Sequence, residues 1–312
     1  MIENDQEVSA GLSAKVILGT GNFGGIGSSP ELYGFGENRE QAWDILEAAK
    51  NLGVDKFDTA NSYGGGASEE YLGEWLSNQE ASYRSTIQLH SKVGNPAAAT
   101  CNQFALSTQE IDFHLSHSLR RLRTSYLDLY YIHQPDPFTP IQETVDCLFK
   151  NVRLGRINKI GLSNVNFKYV KRFLSCLSPQ EAKCVYGVQN EFNYLVQNDA
   201  EELIPFLKKI GIKYIAFSPL AGGLLTGKYE LDVDFPEQSR LALRSEPYRK
   251  LLTKEVFLKI DSMKQSALSG HRSSSEEAIQ FLINNSEIDF IVIGPRRREH
   301  FESLGFKFER NK

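Results

Sequence analysis

The chain has 312 residues, 41% of them hydrophobic, and a formal net charge of −4. That is enough apolar material for a large buried core, and the acidic balance argues against a polyanion-binding surface, so no nucleic-acid partner is expected. No apolar run nears the roughly 18 residues of a membrane span. The start MIENDQEVSAG lacks a secretory signal, and Cys101, Cys147, Cys176 and Cys184 show no CxxC or disulfide-framework spacing. A soluble cytoplasmic protein with no membrane partner is expected.

Short apolar runs then alternate with longer amphipathic ones. A strand over 15–19 (KVILG) leads into a glycine-rich stretch and a helix over 39–53 that Gly53 closes. A strand over 54–60 (VDKFDTA) precedes a helix over 68–78, with Ser68 and Tyr71, behind a run of glycines, as its expected N-terminal cap. Next come a strand over 86–92 (TIQLHSK) and a helix over 107–124, opened by Ser107 and Glu110. A strand over 126–133 (YLDLYYIH) and a helix over 140–155, stopped by Gly155, follow. The pattern continues with strand 157–163, helix 167–177, strand 185–189, helix 199–211 ending at Gly211, and strand 212–218. The longest irregular stretch, roughly 219–252, precedes helices over 253–270, stopped by Gly270, and 273–285, and a last strand over 290–294.

The strand runs are apolar on both faces, as buried parallel strands must be. Eight of them alternating with helices predict a closed (β/α)8 barrel as a single domain over 1–312, with a doubly wound sheet as the alternative. In a barrel the stretch after the seventh strand lies at the C-terminal face, where long loops cover ligands.

Gly19, Gly21 and Gly24 spell GxGxxG behind the first strand. A dinucleotide fingerprint needs a helix to open at once, and here Gly25, Ile26, Gly27, Ser28, Ser29 and Pro30 follow instead. Without a helix N-terminus there is no set of free amides for a pyrophosphate, so the motif reads as a glycine-rich loop. A Tyr-x-x-x-Lys pair is also missing, since no tyrosine has lysine four residues on.

Asp58 in FDTANSY, Tyr63 in the same string, Lys92 in HSKVG and His133 in YYIHQPD each stand at the end of a strand run. A hydride added to a carbonyl leaves an alkoxide that needs a proton as it forms. A tyrosine holds its proton at neutral pH, and a nearby cation lowers its pKa. Tyr63 is therefore the candidate acid, Lys92 its tuner, Asp58 the group that holds the lysine, and His133 a second donor to the substrate oxygen. Singly, an Asp–Lys pair, a tyrosine or a histidine is ordinary structure; four on one predicted face point to catalysis.

With these residues in view, the sequence resembles the aldo-keto reductases. The motifs are LGTGNFGG, FDTANSYGGGASEEYLGEWL, HSKVG, LRTSYLDLYYIHQPD, LGRINKIGLSN, VQNEFN, AFSPLAGGLLTGKY and GPRRREHFESLG, and they span nearly the whole chain. The resemblance implies the same barrel, the tetrad Asp58, Tyr63, Lys92 and His133, an extended nicotinamide cofactor and no metal. It places Ser163, Asn164 and Gln189 on the carboxamide and Phe217 on the nicotinamide face. Ser218, Leu220, Gly222 and Lys228 fall along the pyrophosphate, and Gly294, Arg296 and His300 in the adenosine-phosphate segment. The cationic run Arg296, Arg297 and Arg298 suits a 2′-phosphate, so NADPH is expected, with NADH possible. The segment departs from the family pattern at His300, Ser303 and Leu304. The chain also ends soon after LGFKF, where many relatives carry a further helix and loop, so a more open mouth, or one completed by a partner subunit, is expected.

Other candidates read as structure. His114 and His117, with Asp112 nearby, are expected on a helix surface, since no third metal ligand has a recognised spacing. Arg120, Arg121 and Arg123 are expected on a solvated face. Asn22, Phe23, Tyr33 and Phe192 are candidate pocket walls. The reading is a reductase of a small-molecule aldehyde or ketone. The rivals are a sugar or alcohol dehydrogenase working oxidatively and a non-catalytic cofactor-binding regulator on the same barrel. Substrate and oligomeric state are open.

Overall fold

The computed structural model describes residues 12–100 and 104–308. The N-terminal string and Cys101 lie outside the described residues. Eight parallel strands close a barrel in chain order, β8 pairing with β1. They are β1 Val16–Gly19, β2 Lys56–Asp58, β3 Gln88–Val93, β4 Leu127–Ile132, β5 Ile157–Ser163, β6 Val185–Glu191, β7 Lys213–Phe217 and β8 Phe290–Ile293. The doubly wound alternative is excluded by closure. The helices are α1 Arg39–Asn51, α2 Ala67–Ser77, α3 Thr108–Arg121, α4 Ile141–Arg153, α5 Phe167–Ser175, α6 Pro179–Ala182, α7 Leu203–Ile210, α8 Arg240–Leu243, α9 Lys254–Ser269, α10 Ser274–Ile283 and α11 Glu299–Ser303. None is long and apolar enough to cross a membrane, among the described residues.

One apolar cluster fills the space between strands and helices, with Leu18, Phe57, Leu89, Ile132, Leu162 and Ile291 from the strands. Phe23 and Phe192, expected as pocket walls, belong to this core at 1% exposure each, Phe192 edge-on to Tyr214.

Helix ends obey local chemistry with exceptions that tertiary contacts explain. Ser107 caps α3, accepting from the Glu110 N–H, but the Glu110 carboxylate turns to Thr100 and His114 instead of back to the cap. Ser68 is not a cap. It lies inside α2 behind Gly66, and its hydroxyl instead joins Thr20 and Thr59, at 2.7 and 2.8 Å. Gly53, Gly155 and Gly211 hold the left-handed φ of a helix stop, but Gly270 does not, and His271 takes that conformation at φ 53°. Helix α7 starts at Leu203, later than the expected 199, because Pro205 fits only a first turn. Asp199 meanwhile accepts hydrogen bonds from Asn190 and Tyr214.

The stretch after β7 is more structured than its sequence suggests. It forms 3₁₀ turns over Ala221–Thr226 and Glu246–Leu251 with α8 between them. Tyr229, Leu241, Tyr248 and Leu251 pack with Phe257, Ile260 and Met263 of α9 in a second apolar cluster. Leu220 touches both clusters and joins the covering loop to the barrel.

Candidate active site

Parallel register sets one ring of positions at the C-terminal face. Asp58 ends β2, Lys92 lies one residue short of the end of β3, and His133 follows β4. Ile132 pairs with Leu162, Ser163 with Gln189, and Glu191 with Phe217, which carries the ring on through β5, β6 and β7. Tyr63 alone is not at a strand. It opens a 3₁₀ turn in which Gly64, Gly65 and Gly66 all take left-handed φ, 56°, 67° and 105°, and this reversal folds the phenol back over the barrel.

The four residues meet. The Lys92 ammonium donates to the Asp58 carboxylate, to the Thr59 carbonyl at 2.9 Å and toward the Tyr63 hydroxyl at 3.4 Å. The imidazole of His133 stands edge-on to the Tyr63 ring, centroids 5.5 Å apart. Lys92 is 1% exposed and Asp58 2%. A buried charge pair is stable only when its remaining donors and acceptors are satisfied, and the second Asp58 oxygen is met by Gln189 Nε2 at 2.9 Å. Thr20 closes the other side, donating its N–H and its hydroxyl to the Asp58 carbonyl.

Protonation follows from burial. The His133 imidazole is pushed down to about 3, by burial first and by the Lys92 ammonium second, so it is neutral at ordinary pH. Its Nδ1 is buried without a partner. Burial works against the Lys92 charge, but Asp58 and Tyr63 more than offset it and hold the ammonium above its usual value. The Tyr63 phenol departs from expectation. Burial raises it above 10, and the Lys92 charge opposes that shift without reversing it.

The other candidates divide. Asn164 takes a left-handed φ of 54° and donates to the His133 carbonyl at 2.8 Å and to the Ser163 hydroxyl at 3.2 Å. One N–H of the Gln189 amide goes to Asp58, which leaves its second N–H and its oxygen for other partners. Phe217 is half-buried at the end of β7, and Ser218 and Ala221 beyond it hold φ of 57° and 47°. Such strained non-glycine backbone gathers at functional sites. Gly222 is required by packing, since a Cβ there would lie 2.4 Å from the Tyr248 ring. Lys228 is exposed, its ammonium 5.0 Å from the Tyr229 ring.

Beyond β8 the expected triple charge is partly neutralised. Arg296 is paired with buried Glu37, Nε to Oε1 2.6 Å, and its backbone N–H donates to His300 Nδ1 at 3.1 Å. Burial, with Arg297 and Arg296, pulls the His300 pKa down. Arg298 lies over the Phe308 ring at 4.4 Å, and Arg297 is exposed. Gly294 is exposed, with no protein atom nearer than 3.8 Å to where a Cβ would stand. Open backbone at Gly294, an aromatic face at Phe217 and amide groups at Asn164 and Gln189 are chemistry that suits a dinucleotide.

The sequence profile of the aldo/keto reductase family matches residues 15–311. The chain belongs to that family. Among curated relatives, an L-glyceraldehyde 3-phosphate reductase of Escherichia coli K12 is 29% identical over 265 residues, 83% of this chain and 76% of its own. Aldo-keto reductase YhdN of Bacillus subtilis is 27% identical over 298 residues, 94% and 84% of the two chains. A probable voltage-gated potassium channel subunit beta of Arabidopsis thaliana is 29% identical over 271 residues, 84% and 80%. The family acts on carbonyls as oxidoreductases and generally uses a nicotinamide dinucleotide.

Several supporting roles escaped sequence reasoning. The Thr59 carbonyl and Gln189 hold Lys92 and Asp58, Ser68 bonds the Thr59 hydroxyl, and Glu37 holds Arg296. His114 is buried, 8% exposed, and shares a hydrogen bond with Glu110, so it is no surface residue. His117 bonds the Phe113 carbonyl and Asp112 meets Lys150 and Asn151. No metal-binding cluster occurs among the described residues. Arg121 is not on a solvated face: it pairs with Glu69, whose side chain is fully buried and also accepts from Ser91.

Proposed function

We propose that the chain is an NADPH-dependent carbonyl reductase, accepting NADH, that converts an aldehyde or ketone to an alcohol as one cytoplasmic barrel domain. The observation that supports this best is the single ammonium of Lys92 bonded to the Asp58 carboxylate and the Thr59 carbonyl, with the Tyr63 hydroxyl 3.4 Å away.

Tyr63 donates its proton to the carbonyl oxygen as negative charge grows there. Its raised pKa keeps the proton in place at neutral pH. Lys92 fixes the phenol's position and stabilises the phenolate left behind, and Asp58 keeps Lys92 charged and in place. Neutral His133 has one N–H. With Nδ1 buried, Nε2 is the nitrogen left to face the cleft, where it donates to the same oxygen. When bound, the nicotinamide supplies the hydride. Ser163, Asn164 and Gln189 would hold its carboxamide and Phe217 its face. Ser218, Leu220, Gly222 and Lys228 would line the diphosphate, and Gly294, Arg296 and His300 would meet the adenosine end.

Loss of NADPH absorbance against a panel of sugar, aryl and aliphatic carbonyls tests the reading. Tyr63→Phe should lower reduction by about 10²–10⁴-fold and leave dinucleotide binding intact. An active Tyr63→Phe enzyme would sink the assignment of the acid. Tight cofactor binding by the wild type with no carbonyl turned over would favour a regulatory role. Turnover only of alcohols would favour the oxidative direction.

A further inference from the structure

The loop after β1 places a carboxylate where sequence reasoning saw only arginines. Glu37 is pinned by its own backbone: its N–H donates to the Asn22 carbonyl and its carbonyl accepts from Gly24, both at 2.8 Å. Gly36 allows this close approach, because a Cβ there would fall 1.9 Å from the Asn22 carbonyl oxygen. The side chain so placed is 4% exposed and reaches Arg296 on the neighbouring loop beyond β8, the strand that pairs with β1. Its Oε2 is buried without a partner. Arg240 of α8 also acts on its charge, and holds the Asn22 side chain at 3.2 Å. One carboxylate is thus the counter-ion at the meeting of three loops, those after β1, β7 and β8.

An arginine in an ion pair offers less to an incoming anion than a free one. A phosphate approaching the half-exposed Arg296 meets a guanidinium whose charge a buried carboxylate 2.6 Å away already balances. We propose that Glu37 is a cofactor-specificity residue of this chain. It competes internally for Arg296 and weakens the hold on a 2′-phosphate, so NADPH is favoured over NADH by less than the three consecutive arginines imply. This rests on the nicotinamide-cofactor reading given above. The Glu37 carboxylate acts through Arg296, to which it is paired, so its effect is expected on the ratio of the two cofactors.

Calorimetric titration of NADPH and of NADH into the wild-type protein, Glu37→Gln, Glu37→Asp and Arg296→Ala tests it, with a thermal melt of each variant. Glu37→Gln should tighten NADPH about fivefold or more and leave NADH within about twofold. Glu37→Asp, one methylene too short to keep the 2.6 Å contact, should move NADPH in the same direction, which covers the case of a poorly folded Gln variant. Arg296→Ala should bring the two cofactors toward equal affinity. An unchanged or reduced NADPH-to-NADH ratio in folded Glu37 variants overturns the proposal, a reduced ratio meaning that Glu37 positions Arg296 for the phosphate. Binding of neither dinucleotide by the wild type would defeat the cofactor reading itself, an outcome distinct from an unmoved ratio.

Discussion

The ends of β2, β3 and β4 and the segment beyond β8 carry the same kind of signal, charged and aromatic side chains beside an apolar run. They fold into opposite arrangements. At the first, Asp58 and Lys92 point into a closed barrel, and their partners are the ones alternation and register supply: each other, Gln189 and the Tyr63 turn. At the second, Arg296 leaves the barrel on a loop, and its partner is Glu37, 259 residues earlier. A strand-borne charge has few places to go. A loop-borne charge pairs with whatever another loop presents, and chain pattern does not say which loop that is.

The largest expected effect would break that contrast at its strong end. Asp58→Asn leaves the Lys92 ammonium buried at 1% exposure without its carboxylate, and should cost about 3–5 kcal/mol in urea unfolding. The half-exposed Arg296 should lose far less when Glu37 is changed. Equal losses at the two sites would show that burial does not separate them.

A second expectation sharpens the buried side through pH. His133 and His90 are both held neutral, each pushed down to about 3, first by burial and then by Lys92. A histidine whose folded pKa is depressed adds stability above its unfolded value near 6.5, and that stability is lost as pH falls toward the folded value. Stability should therefore decline from about pH 6.5 toward pH 3, and His90→Phe should flatten part of that decline in acid melts. An unaltered acid profile in the variant would remove His90 from the account. The same shifts set the catalytic profile: kcat should show no acid limb near 6.5 from His133, and should fall only as pH rises past 10 and Tyr63 loses its proton.

The smallest effect lies at the open end. Arg298→Ala removes the cation over Phe308 and should cost about 0.5–1 kcal/mol in thermal unfolding. A larger loss would mean that the segment beyond β8 is more tightly built than its exposure suggests.

Much of the site was readable because barrel strands are periodic. Eight apolar runs and their spacing located the ends of β2 to β7, and the tetrad assembles where they end. Tyr63 was expected at a strand end, but it opens a turn that the positive φ of Gly64, Gly65 and Gly66 reverses over the barrel. Supporting groups were hidden for a physical reason. Ser68 sits where a cap residue would, yet its hydroxyl finds better partners in Thr20 and Thr59 across the β1–β2 seam. His114 and Arg121 stand on the stripe of α3 that Ile111, Leu115 and Ser118 bury, where their polarity hid them, and they pair there with Glu110 and Glu69.

The direction of the Tyr63 shift belongs to the same class. A cation beside a phenol lowers its pKa, and the residues named the cation correctly. How much water the phenol loses is a property of the packed site, and here that loss outweighs the charge. By itself, then, the sequence determined the alternation of strands and helices, the closed barrel and the four groups at its mouth, because hydrophobic periodicity and strand ends are local. Burial, and with it the protonation of those groups and the pairing of Arg296 with Glu37, was decided by tertiary structure alone, because desolvation and loop-to-loop contact depend on segments distant in the chain.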